Sequence, residues 1–178
     1  MRMVTACLWL TVLLAVAPLA HAQAADSDIA VVDIDKLLNE SKAGKSIAQQ
    51  VQAKQGQYQK EFSEKEKALV DAQKKLVEDR KTLSAEDFAA RRKTFEENLI
   101  ETRKLFQKRR TDLDRALGEA LAQLRKHVIE ITAAVAEKDG YDAVLTRDSV
   151  VIVEKKLDIT DQVLKDLDAK VGNIKLGL

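Results

Sequence analysis

Residues 57–117 contain neither glycine nor proline, and their apolar side chains recur every seven positions. A stretch without breakers at that spacing folds as long helix whose apolar stripe seeks a second helix. Globular helices average about 11–12 residues, so this chain builds something extended. Val51 and Tyr58 stand seven apart, and Phe62, Leu69, Leu76 and Leu83 form a second row. The pattern breaks at Ser84-Ala85-Glu86-Asp87, where a hydroxyl followed by two acids reads as a new helix start.

Beyond that break Phe88 and Phe95 stand seven apart, and Leu99, Phe106, Leu113 and Ala120 follow at sevens. Val51 with Ala120, Tyr58 with Leu113, Leu76 with Phe95 and Leu83 with Phe88 lie at equal distances either side of the turn. This symmetry predicts an antiparallel hairpin about 60 Å long, from about 40 residues per helix at roughly 1.5 Å each. Its seam is thin, because Lys65 and Asp79 fall within it. Gly140 is placed to close the second helix in the left-handed conformation.

The flanks differ. Ile29-Ala30-Val31-Val32-Asp33-Ile34 is a β-branched run that reads as a buried strand. Residues 141–146 and 150–153 read as two further strands forming a hairpin, and a short helix carrying Val163, Leu164, Leu167 and Val171 starts near Asp158 or Thr160. The fold class is therefore α+β: a helical hairpin arm (37–136) on a small β-rich body (23–36 and 137–178). Three short strands are too few for an independent sheet. Leu117, Leu121, Leu124, Val128, Ile131 and Val135 also form a stripe denser than one hairpin partner covers. Both features predict oligomerisation, with these six residues and Ile29 and Val31 at subunit contacts.

Arg2, an apolar run over 4–17 and Ala20-His21-Ala22 together read as a secretory signal peptide, 1–22, cleaved after Ala22. The apolar run is shorter than the roughly 20 residues that span a bilayer. Cleavage removes Cys7, Trp9 and Pro18, the chain's only cysteine, tryptophan and proline. An exported chain without disulfides draws its stability from burial or assembly. Loss of Arg2 leaves 29 Lys/Arg against 29 Asp/Glu, and the arm holds 21 of these cations against 16 anions. So mild a bias excludes a nucleic-acid binder, which carries a strongly basic face.

Machinery for catalysis is not legible. Gly44-Lys45-Ser46 resembles the end of a phosphate-binding loop, but Asn39 stands where its first glycine belongs. His127 is the one histidine after the signal peptide, and His127-x-x-Glu130 has no second ligand pair. Neither enzyme activity, nor a metal, nor a cofactor is expected. Arg91-Arg92-Lys93 and Lys108-Arg109-Arg110 are basic runs, read first as solvated helix faces and second as contacts for lipid phosphates or acidic segments. Phe62, Phe88, Phe95 and Phe106 fit hairpin layers, yet a two-helix seam cannot enclose whole phenyl rings. Their edges are left as candidate binding surface.

Ile29-Ala30-Val31-Val32-Asp33 before Leu37-Leu38, the helical hairpin, Gly140-Tyr141-Asp142-Ala143-Val144-Leu145, and Asp158-Ile159-Thr160 before Val163-Leu164 together resemble the Skp (OmpH) family of periplasmic chaperones. The resemblance implies a homotrimer whose β body carries three helical arms around a cavity. It implies an ATP-independent holdase for unfolded outer-membrane β-barrel proteins, with lipopolysaccharide or anionic lipid as a further ligand class. Client contacts are expected at Phe62, Phe88, Phe95, Phe106, Arg91, Arg92 and Lys93. The competing reading is a coiled-coil adaptor or spacer that binds one folded envelope partner.

Overall fold

The computed structural model describes residues 28–178; the expected signal peptide and its cleavage site lie outside them. The elements in chain order are β1 (Ile29–Val32), α1 (Ile34–Glu40), α2 (Lys42–Thr82), α3 (Ala85–Asp139), β2 (Ala143–Thr146) and α4 (Thr160–Lys170). Helices α2 and α3, of 41 and 55 residues, form the predicted hairpin. Its turn is built by Ser84, whose hydroxyl accepts from Asp87 N–H at 3.1 Å and donates to the Asp87 carboxylate at 2.7 Å. At the far end of α3 the chain leaves the helix through Gly140, with φ +80°, a region that favours glycine because no Cβ meets the backbone.

At the body end, α1 and α2 meet at a kink centred on Ser41. This buried residue ends α1 and caps α2, its hydroxyl accepting from Gly44 N–H at 3.1 Å. A Cβ on Gly44 would overlap the carbonyl oxygen of Leu38. The glycine of Gly44-Lys45-Ser46 thus serves close packing of two helices.

The sheet departs from expectation. Strand β2 pairs parallel with β1, in register from Ile29 with Ala143 to Val32 with Thr146. On the other edge of β1, Val31 bridges to Asp158, and Ile159 N–H donates to Val31 C=O at 3.0 Å. The expected hairpin between 141–146 and 150–153 is not formed. A parallel pair needs a long crossover, and here the entire helical arm supplies it. Between the two apolar runs a single 3₁₀ turn, Arg147–Ser149, carries the chain away from the sheet. Val151 and Ile152 are left 96% and 86% exposed.

One core joins residues on both sides of the expected boundaries at 36 and 137. It contains Ala30 and Val32 from β1, Leu37 from α1, Ile47 from α2, Leu124, Val128, Ile131 and Val135 from α3, and Val163 and Leu167 from α4. The α3 stripe does exceed what its hairpin partner covers, and the extra cover comes from elements of the same chain. Leu124, Val128, Ile131, Val135 and also Val31 are buried within a single chain. The covering residues come from α1, the start of α2 and α4. Sequence spacing could not count those extra covers. Of the expected subunit contacts, Leu117 is half-buried, while Leu121 and Ile29 are 37% and 40% exposed.

The segment Asp158-Ile159-Thr160 ties α4 to β1. Thr160 Oγ1 accepts from Asp33 N–H at 2.9 Å, Asp158 accepts from Thr160 N–H at 3.0 Å, and Ile159 is buried. Lys36 reaches the Asp161 carboxylate at 2.8 Å, and that hydrogen bond with its charge raises the lysine's pKa.

Candidate functional site

Above the body the two long helices have only each other. Among the described residues, none between 48 and 112 is buried. Each helix offers roughly one apolar stripe to the seam, so a side chain there is covered from one direction only. Phe62 and Phe106 meet edge to face across the seam, with ring centroids 4.2 Å apart and planes at 88°. This geometry suits the ring quadrupoles, yet Phe62 stays 43% exposed.

Several clefts follow the arm, three of them beside its aromatic rings. The middle one, about 540 Å³, is walled by Phe62, Leu69, Val70, Phe95, Leu99 and Phe106, with Glu66 and Arg103 at its rim. Toward the tip a cleft of about 360 Å³ brings Leu76 beside Phe95. Toward the root a third, about 560 Å³, brings Tyr58 beside Leu113. Phe88 is half-buried next to the tip turn. The structure therefore places Phe62, Phe95 and Phe106 around one apolar groove and leaves Phe88 apart from it.

The basic side chains are largely paired. Arg91 spans the seam to Asp79 at 2.7 Å, while Arg92 and Lys93 lie 3.5 and 3.9 Å from Glu96 and Glu97 one turn on. Asp79, expected as a polar intrusion into the seam, is instead the half-buried end of this cross-arm tie, its side chain 14% exposed. In the second run Lys108 pairs with Asp112 at 2.6 Å, and Arg109 lies 3.5 Å from Glu61 and 5.1 Å from the Tyr58 ring centroid. The Lys108 hydrogen bond, aided by the charges of Arg115 and Arg109, holds the Asp112 carboxyl below the usual carboxylate range against partial desolvation. Arg110 is the one member of the two runs with no ion pair among the described residues. The cross-arm pairs Asp79–Arg91 and Glu61–Arg109 escaped the sequence reading, although both carboxylates face a cation at nearly mirrored positions.

His127 Nδ1 lies 3.3 Å from Glu130 Oε2 on a helix surface. Among the described residues, no group of three metal-binding side chains comes together, and no helix is long and apolar enough to cross a membrane. The arrangement consists of apolar grooves set in a surface of compensated charge. It offers contact area, without convergent acids, bases or nucleophiles.

The family model described as outer membrane protein (OmpH-like) matches residues 28–167. The chain belongs to the OmpH-like family. The family is non-enzymatic. A protein of uncharacterised function from Aquifex aeolicus is 35% identical over 146 residues, covering 79% of this chain and 86% of the relative. Chaperone protein Skp from Pectobacterium atrosepticum is 28% identical over 158 residues, covering 86% and 93%. The crystal structure of an OmpH-like chain from Caulobacter crescentus CB15 shares the fold, with a TM-score of 0.79 at 18% identity over 84% of this chain and 88% of that one. The OmpH-like match includes the whole arm and the Asp158-Ile159-Thr160 tie.

Proposed function

We propose that this protein is an ATP-independent holdase of a Gram-negative periplasm, which shields unfolded outer-membrane β-barrel proteins from aggregation before they insert. The carrying observation is the apolar groove of Phe62, Leu69, Phe95, Leu99 and Phe106, left open along an arm of compensated charge. Similarity to Chaperone protein Skp supports the same reading. Burying about 40 Å² of apolar surface contributes roughly 1 kcal/mol, so each groove contact is weak and several together hold a client. Release then needs no nucleotide, because membrane insertion buries far more apolar surface.

The working form is a homotrimer with arms 37–136 enclosing the client and bodies 23–36 and 137–178 in contact. Exposed Ile29, Leu121, Val151 and Ile152 and the outer edge of β2 favour such an assembly, since exposed strand edges and apolar runs seek partners. Leu117 borders that surface, and the buried Val31, Leu124, Val128, Ile131 and Val135 support it from within the chain. Phe88 and the paired Arg91, Arg92 and Lys93 act as secondary client contacts, with lipopolysaccharide or anionic lipid as further ligands of the basic run. Export follows from a signal peptide removed after Ala22.

The test is light scattering of a β-barrel protein diluted from urea, with and without the mature chain. Suppression at about one trimer per client is expected. No suppression, together with saturable binding to one folded envelope protein, would establish the adaptor reading instead.

A further inference from the structure

Beyond α4 the chain folds back as residues 172–178 and runs beside the first turns of α2. Gln50 engages it with both ends of one carboxamide: Nε2 donates to Ile174 C=O at 2.7 Å, and Oε1 accepts from Leu176 N–H at 3.1 Å. A neighbouring strand would satisfy the tail backbone in the same way. One turn earlier, Ser46 Oγ donates to Asn173 Oδ1 at 2.7 Å. Ile174 is buried in the core, and Leu176 packs against it. The tail then reaches α3, where a Cβ on Gly177 would stand 3.8 Å from Glu119 Oε2.

The position of this crossing gives it significance. The buried residues of α2 end at Ile47, and those of α3 begin at Leu113. Below that level a full core holds the helices; above it there is only the open seam. The tail crosses from α2 to α3 at this transition. It also lies beyond Leu167, where the family match ends.

We infer that residues 172–178 are a strap that holds the arm root closed, limiting how far α2 opens from α3. The arm magnifies small openings. With α2 about 60 Å long, at roughly 1.5 Å per residue, a root rotation of about 5° moves the tip by about 5 Å. The inference is independent of what the arm binds.

Hydrogen exchange on the full chain, without client, tests it. The comparison is with a chain ending at Val171, with Gln50→Leu, and with the control Gln49→Leu at an exposed position. Loss of the strap should speed exchange about tenfold in residues 46–60 and 113–124 while leaving α4 and residues 85–105 unchanged. Gln50→Leu should give part of that effect, and Gln49→Leu none. Unchanged exchange in the truncated chain would overturn the inference. So would an equal rise throughout the core, which would mark the tail as a contributor to global stability only.

Discussion

Replacing Gly44 with alanine separates two physical effects of opposite sign. Gly44 lies in the first turn of α2, where intrinsic propensity favours alanine by up to about 1 kcal/mol. The Cβ, however, would overlap the carbonyl oxygen of Leu38 and stand 2.9 Å from its carbon and 3.2 Å from Ser41 Oγ. Backbone atoms cannot rotate away as a side chain would, so α1 must shift. That shift pulls on the Ser41 cap of α2 and on the buried Leu37. Overpacking costs typically 1–3 kcal/mol, occasionally more, and losing an N-cap costs about 1 kcal/mol. The sterics therefore outweigh propensity, and a net loss of about 1–3 kcal/mol is expected.

Gly56 and Gly118 provide internal controls, because a Cβ at either meets nothing within 4 Å. Gly56→Ala and Gly118→Ala should each gain up to about 1 kcal/mol. Urea unfolding followed by helical circular dichroism, at one fixed chain concentration, measures all three. With slopes of about 1–3 kcal/mol/M, the Gly44→Ala midpoint should fall by about 1 M while the control midpoints rise. If Gly44→Ala proves as stable as the controls, the close approach of α1 and α2 is wrong.

Further outcomes are expected on the arm and in the body. The hairpin register predicts that Leu76→Cys with Phe95→Cys forms a disulfide faster than Leu76→Cys with Leu99→Cys; equal rates under mild oxidation would refute it. Joint replacement of Phe62 and Phe106 by alanine should leave helix content intact and weaken aggregation suppression several-fold, as loss of two partly buried rings removes a few kcal/mol of contact; undiminished protection would exclude the groove. Neutralising Arg91, Arg92 and Lys93 should slow capture only slightly, because these cations are already paired and screening confines them to about 8 Å at 0.15 M salt; a steep loss of protection across a salt series would favour electrostatic clamping. At Asp158, burial is the largest influence and disfavours the charge, but the Thr160 hydrogen bonds together with Arg147 and Lys36 outweigh it and lower the carboxyl's pKa. Its stabilisation should be present above the unfolded value of about 3.9 and lost as pH falls through the lower folded value; an Asp158→Asn chain with an unchanged acid limb in its stability profile would rule this out.

The sequence by itself determined the features that local chemistry writes into consecutive residues. Sevenfold apolar spacing predicted the two long helices, Ser84 with Asp87 the turn between them, and Gly140 the end of the second. Asp158-Ile159-Thr160 marked the start of α4. Each signal is carried by side chains within a turn or two of the backbone they organise. Tertiary structure decided the rest. The parallel pairing of β1 with β2 depends on where a crossover of more than a hundred residues returns the chain. Residues 150–153 have the composition of a strand but stand unpaired among the described residues. The stripe from Leu124 to Val135 reads as an excess until α1, α4 and the tail are laid across it. Gln50 and Gly44 carry no periodic signal, because one acts on backbone more than a hundred residues away and the other by lacking a side chain where two helices meet. A repeating pattern says which face of an element will be buried. Only the complete packing says what buries it.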